Sequence, residues 1–172
     1  MSLEDGSGDA PTAAIRDLLI RRYESRDHEA VLRLHRDGLT QVGADAGPGP
    51  WDADLDDIES SYLNAGGDFV VAIVGDEVVA MGALRRVSDT TADLKRLRVM
   101  RELQGKGVGR RIARLLIDRG RELGFTRLTA DTTSRQLPAQ HLLRELGFAE
   151  TRRQQFRRFE LIYYERELDA AD

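Results

Sequence analysis

The sequence predicts an α/β fold of the mixed kind, a single sheet covered by helices on both faces. Three observations predict it. Strand-like and helix-like segments interleave along most of the chain. Two apolar runs flank Gly75-Asp76 in the manner of a tight hairpin, so part of the sheet is antiparallel. Two amphipathic helical segments, each stopped by a glycine, lie between strands and need a sheet to cover. With 172 residues, 41% of them hydrophobic, the chain has material for one core rather than two. A single domain is therefore expected over residues 15–168. Residues 1–14 are small, polar and glycine-containing and read as a disordered leader, and 169–172 as a tail.

The elements follow in order. Residues 18–23 read as a first strand. Asp27 is placed to cap a helix carrying Val31, Leu32 and Leu34, which Gly38 is expected to stop. Residues 43–50 hold three glycines and two prolines and should be irregular. A second helix is expected over 51–63, with Leu55, Ile58 and Tyr62 at helical spacing and an acidic first turn. The hairpin pairs 69–74 with 77–84. The next strand, 92–99, has its apolar residues at Leu94, Leu97 and Val99, a break in alternation that a β-bulge near Arg96 would explain. From Val108 the pattern turns helical, with Val108, Ile112, Leu115, Leu116 and Leu123 on one stripe and Gly124 at the C-terminal cap. A short strand at 128–131 precedes a helix that starts near Pro138 and ends at Gly147, with Phe148 folded back onto it. Two final strands, near 149–152 and 159–167, are joined by a basic connection.

Composition narrows the chemistry. The absence of cysteine excludes disulfides, a thiol nucleophile and a cysteine zinc site. No apolar run approaches the roughly 18 residues of a membrane helix, and the N-terminus lacks the basic start and apolar stretch of a signal peptide, so a cytoplasmic protein with no membrane partner is expected. The net charge of −4 conceals an asymmetry: acidic residues crowd 45–59, whereas arginine dominates 96–121 and 152–158. The chain is acidic overall and the second arginine cluster has no interleaved aromatics beyond Phe156 and Phe159, so no nucleic-acid partner is expected.

The richest segment is Gln104-Gly105-Lys106-Gly107-Val108-Gly109, between a strand and a helix. A helix N-terminus concentrates unpaired backbone N–H groups and the positive end of the helix dipole, a natural seat for an anion. Glycines allow close approach, and Lys106, Arg110 and Arg111 add charge. Diphosphate fits such a place. The dinucleotide fingerprint fails because Arg110 holds its third glycine position, and the phosphate loop fails because no Gly-Lys-Ser/Thr follows. A plain glycine turn beside a solvated arginine face accounts for the same residues.

The segment LKRLRVMRELQGKGVGRRIARLLIDRGRELGF resembles the cofactor-binding core of the GNAT superfamily of acetyl-CoA-dependent N-acetyltransferases. That family carries Q/R-x-x-G-x-G/A here, matched by Gln104, Gly107 and Gly109, and the likeness continues through LTADTT, QLPAQHLLRELGF and YEREL to cover roughly residues 15–168. The resemblance implies a six- to seven-stranded, mostly antiparallel sheet with about four helices, in which the fourth and fifth strands splay apart and acetyl-CoA wedges between them. It implies that backbone groups of Leu97, Arg98 and Val99 pair with the pantetheine arm and thioester, and that Gln104 to Arg110 hold the diphosphate. Gln136 stands where the family often has Asn, and Ala139 matches a small residue beside the cofactor. No metal is implied.

Attack on a thioester needs a neutral amine, whereas an alkylamine titrates near about 10.4, so a carboxylate that removes the proton directly or through water is expected. The resemblance points to Asp93 as this base, with Asp131 on the next strand as the second candidate. Asp93 could equally form a surface pair with Lys95 or an arginine. The family's usual tyrosine acid falls at Leu143, a departure. A thiol of pKa about 8.5 leaves as thiolate at a cost of about 2 kcal/mol near neutrality, so water can serve. His141, Tyr163 and Tyr164 are the possible substitutes.

The acceptor site is expected between the first two helices, their glycine- and proline-rich connection and the C-terminal strands. Asp45, Asp52, Asp54, Asp56, Asp57 and Glu59 either attract a cationic amine or complement a helix dipole. Trp51 either lines the pocket or staples the second helix to the core. The expected reaction is direct acetyl transfer to a primary amine of a small molecule, with a protein or peptide amine as an alternative acceptor. A non-catalytic acyl-CoA-binding or regulatory domain is the alternative that Leu143 keeps open. A homodimer is the expected assembly.

Overall fold

A computed structural model describes residues 15–41, 43 and 49–169. The leader at 1–14, the end of the tail at 170–172 and Asp45 lie outside the described residues. Seven strands form one sheet in the order β1-β2-β3-β4-β5-β7-β6: β1 (Leu19–Arg22), β2 (Asp68–Val74), β3 (Glu77–Arg86), β4 (Thr91–Val99), β5 (Arg127–Thr133), β6 (Ala149–Phe156) and β7 (Phe159–Glu167). Only β4 and β5 run parallel. Three α-helices lie among the described residues: α1 (His28–Gln41), α2 (Val108–Glu122) and α3 (Leu137–Glu145).

The sheet separates two apolar cores. On one face α2 and α3 bury Ile112, Leu116 and Leu143 against Leu84, Leu94 and Leu128. Gly82 permits this contact, since a Cβ there would stand 2.7 Å from Ile112 Cγ2. Leu115 lies at the edge of the apolar stripe, 37% exposed. On the other face α1 and residues 50–63 bury Val31, Leu55, Ile58 and Tyr62 against Phe69, Val71 and Met81. Alternation along the central strands divides the residues: Ala92 and Leu94 face α2, while Met81 and Ala83 belong to the α1 face.

The hairpin forms as expected, with Val74 opposite Glu77 and Gly75 at φ 61. The bulge is present on β4. Pairing with β3 steps from Ala83↔Lys95 to Met81↔Arg98, and Arg96 takes φ 59. Gly124 (φ 87) and Gly147 (φ 85) end α2 and α3, with Phe125 N–H bonded to Gly120 O at 3.0 Å and Phe148 N–H to Leu143 O at 2.9 Å.

Three expectations change. Gly38 does not stop the first helix, which runs on to Gln41; the glycine leaves room for Arg98, whose Cδ would lie 2.9 Å from a Cβ at position 38. Residues 51–63 do not form one α-helix but a 3-10 turn, Pro50–Leu55, and a π turn, Glu59–Leu63. The helical spacing does bury Leu55, Ile58 and Tyr62, but Asp54 is drawn inward as well, to Tyr62 and Arg96, and the backbone breaks to bring both sets in. Finally, β6 continues to Phe156, so the basic connection reduces to Arg157-Arg158, with Arg157 at φ 53. Its residues are exposed nearly throughout, leaving no alternation to reveal it.

Candidate active site

β4 and β5 pair only at Thr91↔Arg127, Ala92↔Leu128 and Asp93↔Thr129. Beyond that point Leu94–Val99 and Ala130–Thr133 have no ladder between them, so the sheet opens into a wedge whose closed end is the Asp93–Thr129 pair. The bulge at Arg96 turns β4 away from its neighbour.

At the open end of β4 a turn leads into α2. Gly105 (φ 74) and Gly107 (φ 86) hold left-handed conformations that side chains rarely adopt. A Cβ at either would touch nothing within 4 Å, so the glycines are required by the backbone path. Gly109 lies inside the first helical turn, where a Cβ would be in ordinary contact with Val99 and Leu142. Gly107 is the N-cap of α2, no side chain caps it, and the first helical bond runs from Arg111 N–H to Gly107 O at 3.0 Å. The N–H groups ahead of that bond lack an intrahelical acceptor, and Lys106 and Arg111 beside them are exposed.

Gln104 braces this turn. Its Nε2 donates to Val99 O at 2.9 Å and its amide exchanges hydrogen bonds with Gln41 of α1 at 3.1 and 3.3 Å. Arg110 is engaged by Glu145 of α3, which also meets His141 Nε2 at 2.9 Å. Val108 is buried, and Ala139 is half-buried in the first turn of α3. Gln136 points back into its own loop, its Oε1 accepting from Thr132 Oγ1, Thr133 N–H and Thr133 Oγ1, each at 3.1 Å. Leu97 lies against the Gly82 side, and its carbonyl accepts from Arg98 Nη1 at 2.9 Å.

Asp93 and Asp131 come to one patch on the α1 face. Asp93 is half-buried, and Thr129 Oγ1 donates to its Oδ1 at 3.0 Å. It makes no ion pair with Lys95 or another described residue. Burial, followed by the nearby charge of Asp131, pushes its carboxyl up to about 6, against the pull of Lys95, Thr129 and Arg85. Asp131 is exposed, opposite Tyr163, whose ring lies 3.7 Å beneath the Arg152 guanidinium. Tyr164 points to the other face, buried opposite Ala130 with its hydroxyl unpartnered, in the same core as Leu143.

The acidic run serves a purpose that sequence reasoning missed. Arg96 donates Nε to Asp54 Oδ2 at 3.1 Å, Nη1 to Asp52 Oδ1 at 2.9 Å and Nη2 to Trp51 O at 2.8 Å. Tyr62 also donates to Asp54. Asp52 further meets buried His35, Nε2 to Oδ1 at 3.1 Å, and this bond together with Arg96 holds its carboxyl down at about 2 despite burial. Burial opposes ionisation of Asp54, yet the hydrogen bonds from Arg96 and Tyr62 keep it below the usual range. Asp57 accepts from Ser60 N–H at 3.0 Å, a local cap, and Asp56 and Glu59 are exposed. Asp52 and Asp54 are thus neither dipole partners nor free bait for an amine. Trp51 does not join either core: it packs edge-on to Phe156 at 5.7 Å and beneath Arg157 at 4.6 Å, which ties residues 50–55 to the β6–β7 hairpin tip.

A separate groove of about 1440 Å³ runs between α1 and the β2–β3 turn to Val99 and Met100; neither Asp93 nor Asp131 lines it.

The fold has counterparts. The family model described as the acetyltransferase (GNAT) family matches residues 14–148. The uncharacterized N-acetyltransferase YjgM of Escherichia coli is 28% identical over 135 residues, 76% of this chain and 81% of that protein. N-acetyltransferase 8F1 of Rattus norvegicus is 33% identical over 103 residues, 57% of this chain, but the chain spans only 47% of its length. Among solved structures, that of yncA from Salmonella typhimurium with its cofactor acetyl-CoA superposes with TM-score 0.72 at 22% identity, over 89% of this chain and 95% of the other. With a family match over most of its length, the wedge between β4 and β5 and the glycine turn at its mouth, the chain belongs to the acetyltransferase (GNAT) family.

Proposed function

We propose that the protein is an N-acetyltransferase that transfers the acetyl group of acetyl-CoA to the primary amine of a small molecule by direct attack. One observation carries the reading: a carboxylate raised to about 6, Asp93, stands at the closed end of the β4–β5 wedge, on the face away from α2. Acetyl-CoA would supply the activated acetyl group, its diphosphate on the turn from Gln104 to Arg110 and its arm along Leu97 to Val99. The carbonyls of Leu97 and Val99 each have one intramolecular donor already and retain a second lone pair. Arg110 would exchange Glu145 for phosphate.

In the step itself the amine nitrogen bonds to the thioester carbon, its proton passes to Asp93 directly or through water, and the carbon–sulfur bond breaks to release CoA thiolate. Asp131 assists through its charge, which keeps Asp93 basic. Leu143 offers no proton, and His141, on the exposed side of α3 with Glu145, is turned to that partner. Water can then serve as the acid, with Tyr163 and Tyr164 as the side-chain alternatives; departure as the thiolate costs about 2 kcal/mol near neutrality.

A screen of amines, amino acids, polyamines and peptides with acetyl-CoA, following free thiol, tests this. Amine-dependent thiol release that disappears in Asp93→Asn is expected. Tight CoA binding with no amine-dependent release would instead favour an acyl-CoA-binding or regulatory domain, the reading that Leu143 supports. A cytoplasmic location and a homodimer belong to the same proposal. Cell fractionation and sedimentation test them; the exposed edge strands β1 and β6 are the surfaces available for pairing.

A further inference from the structure

Two arginines two residues apart on β4 are treated in opposite ways. Arg96 has Asp52 and Asp54 bound to its guanidinium. Arg98 has no carboxylate at all among the described residues. Its single hydrogen bond runs from Nη1 to the carbonyl of Leu97, at 2.9 Å. Its Nε is shielded from solvent and unpartnered. The nearest charges are Arg96, which repels it, and Asp52 and Asp131, which attract it without touching it. Asp52 is already held by Arg96 and His35.

An unpaired guanidinium placed among packed side chains is costly, yet the fold makes room for this one. Gly38 lies in the last turn of α1, where glycine is a poorer helix former than alanine. The space left by its missing Cβ is taken by the Arg98 stem, with Cδ at 2.9 Å from the Cβ position. The bond from Nη1 to Leu97 O then fixes the plane of the head group. Nε is closed off against Gly38, and Nη2 is the donor that remains for a carboxylate.

The direction of the side chain says which ligand this donor meets. Leu97 and Val99 pack toward α2, where the glycine turn and the diphosphate seat lie; Arg98, between them, points to the α1 face together with Asp93. We infer that Arg98 binds a carboxylate of the acceptor, so that the acceptor class is an amino acid or a similar amino carboxylate. The amine is directed to Asp93 and the carboxylate to Arg98. At about 3.3 Å per residue the two Cα atoms are on the order of 15 Å apart. Because the Arg98 stem is held in the Gly38 notch, the acceptor and a bridging water span that interval. Desolvation, followed by repulsion from Arg96, lowers the Arg98 guanidinium to about 10, consistent with a cation that lacks its counter-charge.

The inference rests on the acetyl-transfer reading of the same site, and the test separates the two. Matched pairs, each an amino acid and the amine left by removing its carboxylate, are assayed for thiol release with the wild type, Arg98→Gln and Arg98→Lys. Binding of the same compounds to the CoA-loaded proteins is measured by calorimetry. The expected result is preference for the amino acids, a rise in KM of about 30-fold or more in Arg98→Gln for them alone, and partial rescue by Arg98→Lys. Equal use of both members of each pair, with no differential effect of Arg98→Gln, overturns the carboxylate site and leaves acetyl transfer standing. If no compound releases thiol, acetyl transfer fails, and calorimetry still decides: amino-acid binding lost in Arg98→Gln supports the site, and no binding by the wild type overturns it. Thermal denaturation of Arg98→Met supplies the folding control. An unchanged or higher Tm supports a ligand role, and a clear loss marks Arg98 as a structural residue and overturns the inference.

Discussion

Thr129 Oγ1 donates to Asp93 Oδ1 at 3.0 Å across the last register pair before β4 and β5 part. The bond fixes one carboxylate oxygen and leaves the other free to receive a proton. It also stabilises the charged form, against the burial and the Asp131 charge that together raise the group to about 6.

The proposed base must be ionised to work. The expected kcat/KM therefore rises with pH through about 6 and flattens above, a limb read from a pH–rate profile. Asp93→Asn is expected to lose about 100-fold or more in kcat. Thr129→Val should move the limb to higher pH, because it removes the donor that favours the carboxylate.

Asp93 also leaves a mark on stability. Its folded pKa lies above the unfolded value, so the native state binds the proton more tightly. The stability that protonation contributes is present below the unfolded value of 3.8 and is lost as pH rises through about 6. At neutral pH, Asp93→Asn is expected to be more stable than wild type by on the order of 2 kcal/mol, measured by urea denaturation. An inactive variant that is also more stable would separate loss of chemistry from loss of fold.

Arg96 is a structural counter-ion. Arg96→Met would strand Asp54 and Asp52 and is expected to cost about 3–5 kcal/mol in thermal or urea denaturation. For Asp52 the sign is opposite to that of Asp93. Its folded pKa of about 2 lies below the unfolded value, so its contribution is complete above 3.8 and disappears as pH falls through about 2. Acid unfolding of the 50–63 segment, followed by Trp51 fluorescence, should begin in that window.

The glycine turn can be probed without steric ambiguity. Alanine at Gly105 or Gly107 meets no neighbour within 4 Å, so any effect comes from the left-handed backbone. Each substitution is expected to cost about 1–2 kcal/mol and to weaken CoA binding in calorimetry. Replacing Lys106 and Arg111 should weaken binding more at low salt than at high.

Tyr164→Phe removes a buried hydroxyl that has no partner. The variant is expected to match or exceed wild-type stability by about 1 kcal/mol, with kcat unchanged. A large fall in kcat would identify Tyr164 as the proton donor to the thiolate.

Much of the architecture was legible because its signals are local. The Gly75-Asp76 turn, the stripe of α2 and the glycines that close α2 and α3 each lie within a few residues of what they determine. The broken alternation at Leu94, Leu97 and Val99 was enough to locate the bulge. What escaped depends on distant partners. Asp52 and Asp54 read as a helix start, and only Arg96, more than 40 residues away in sequence, turns them into its counter-ions. Gly38 reads as a helix stop until Arg98 is found lying in the notch it leaves. β6 is solvated nearly throughout and lacks a burial pattern by which its full length could be seen.

The bulge at Arg96 inverts parity along β4. Before it the even-numbered Ala92 and Leu94 face α2; after it the odd-numbered Leu97 and Val99 do so. The extra residue is therefore a reading-frame shift written into one strand. If Lys95, Arg96 and Leu97 all took regular alternation, with no bulge, the Arg98 side chain would enter the apolar layer under α2 and Leu97 would turn out toward α1. Length variation is tolerable in the exposed turn before β4, but within these three positions the number of residues matters more than their identity.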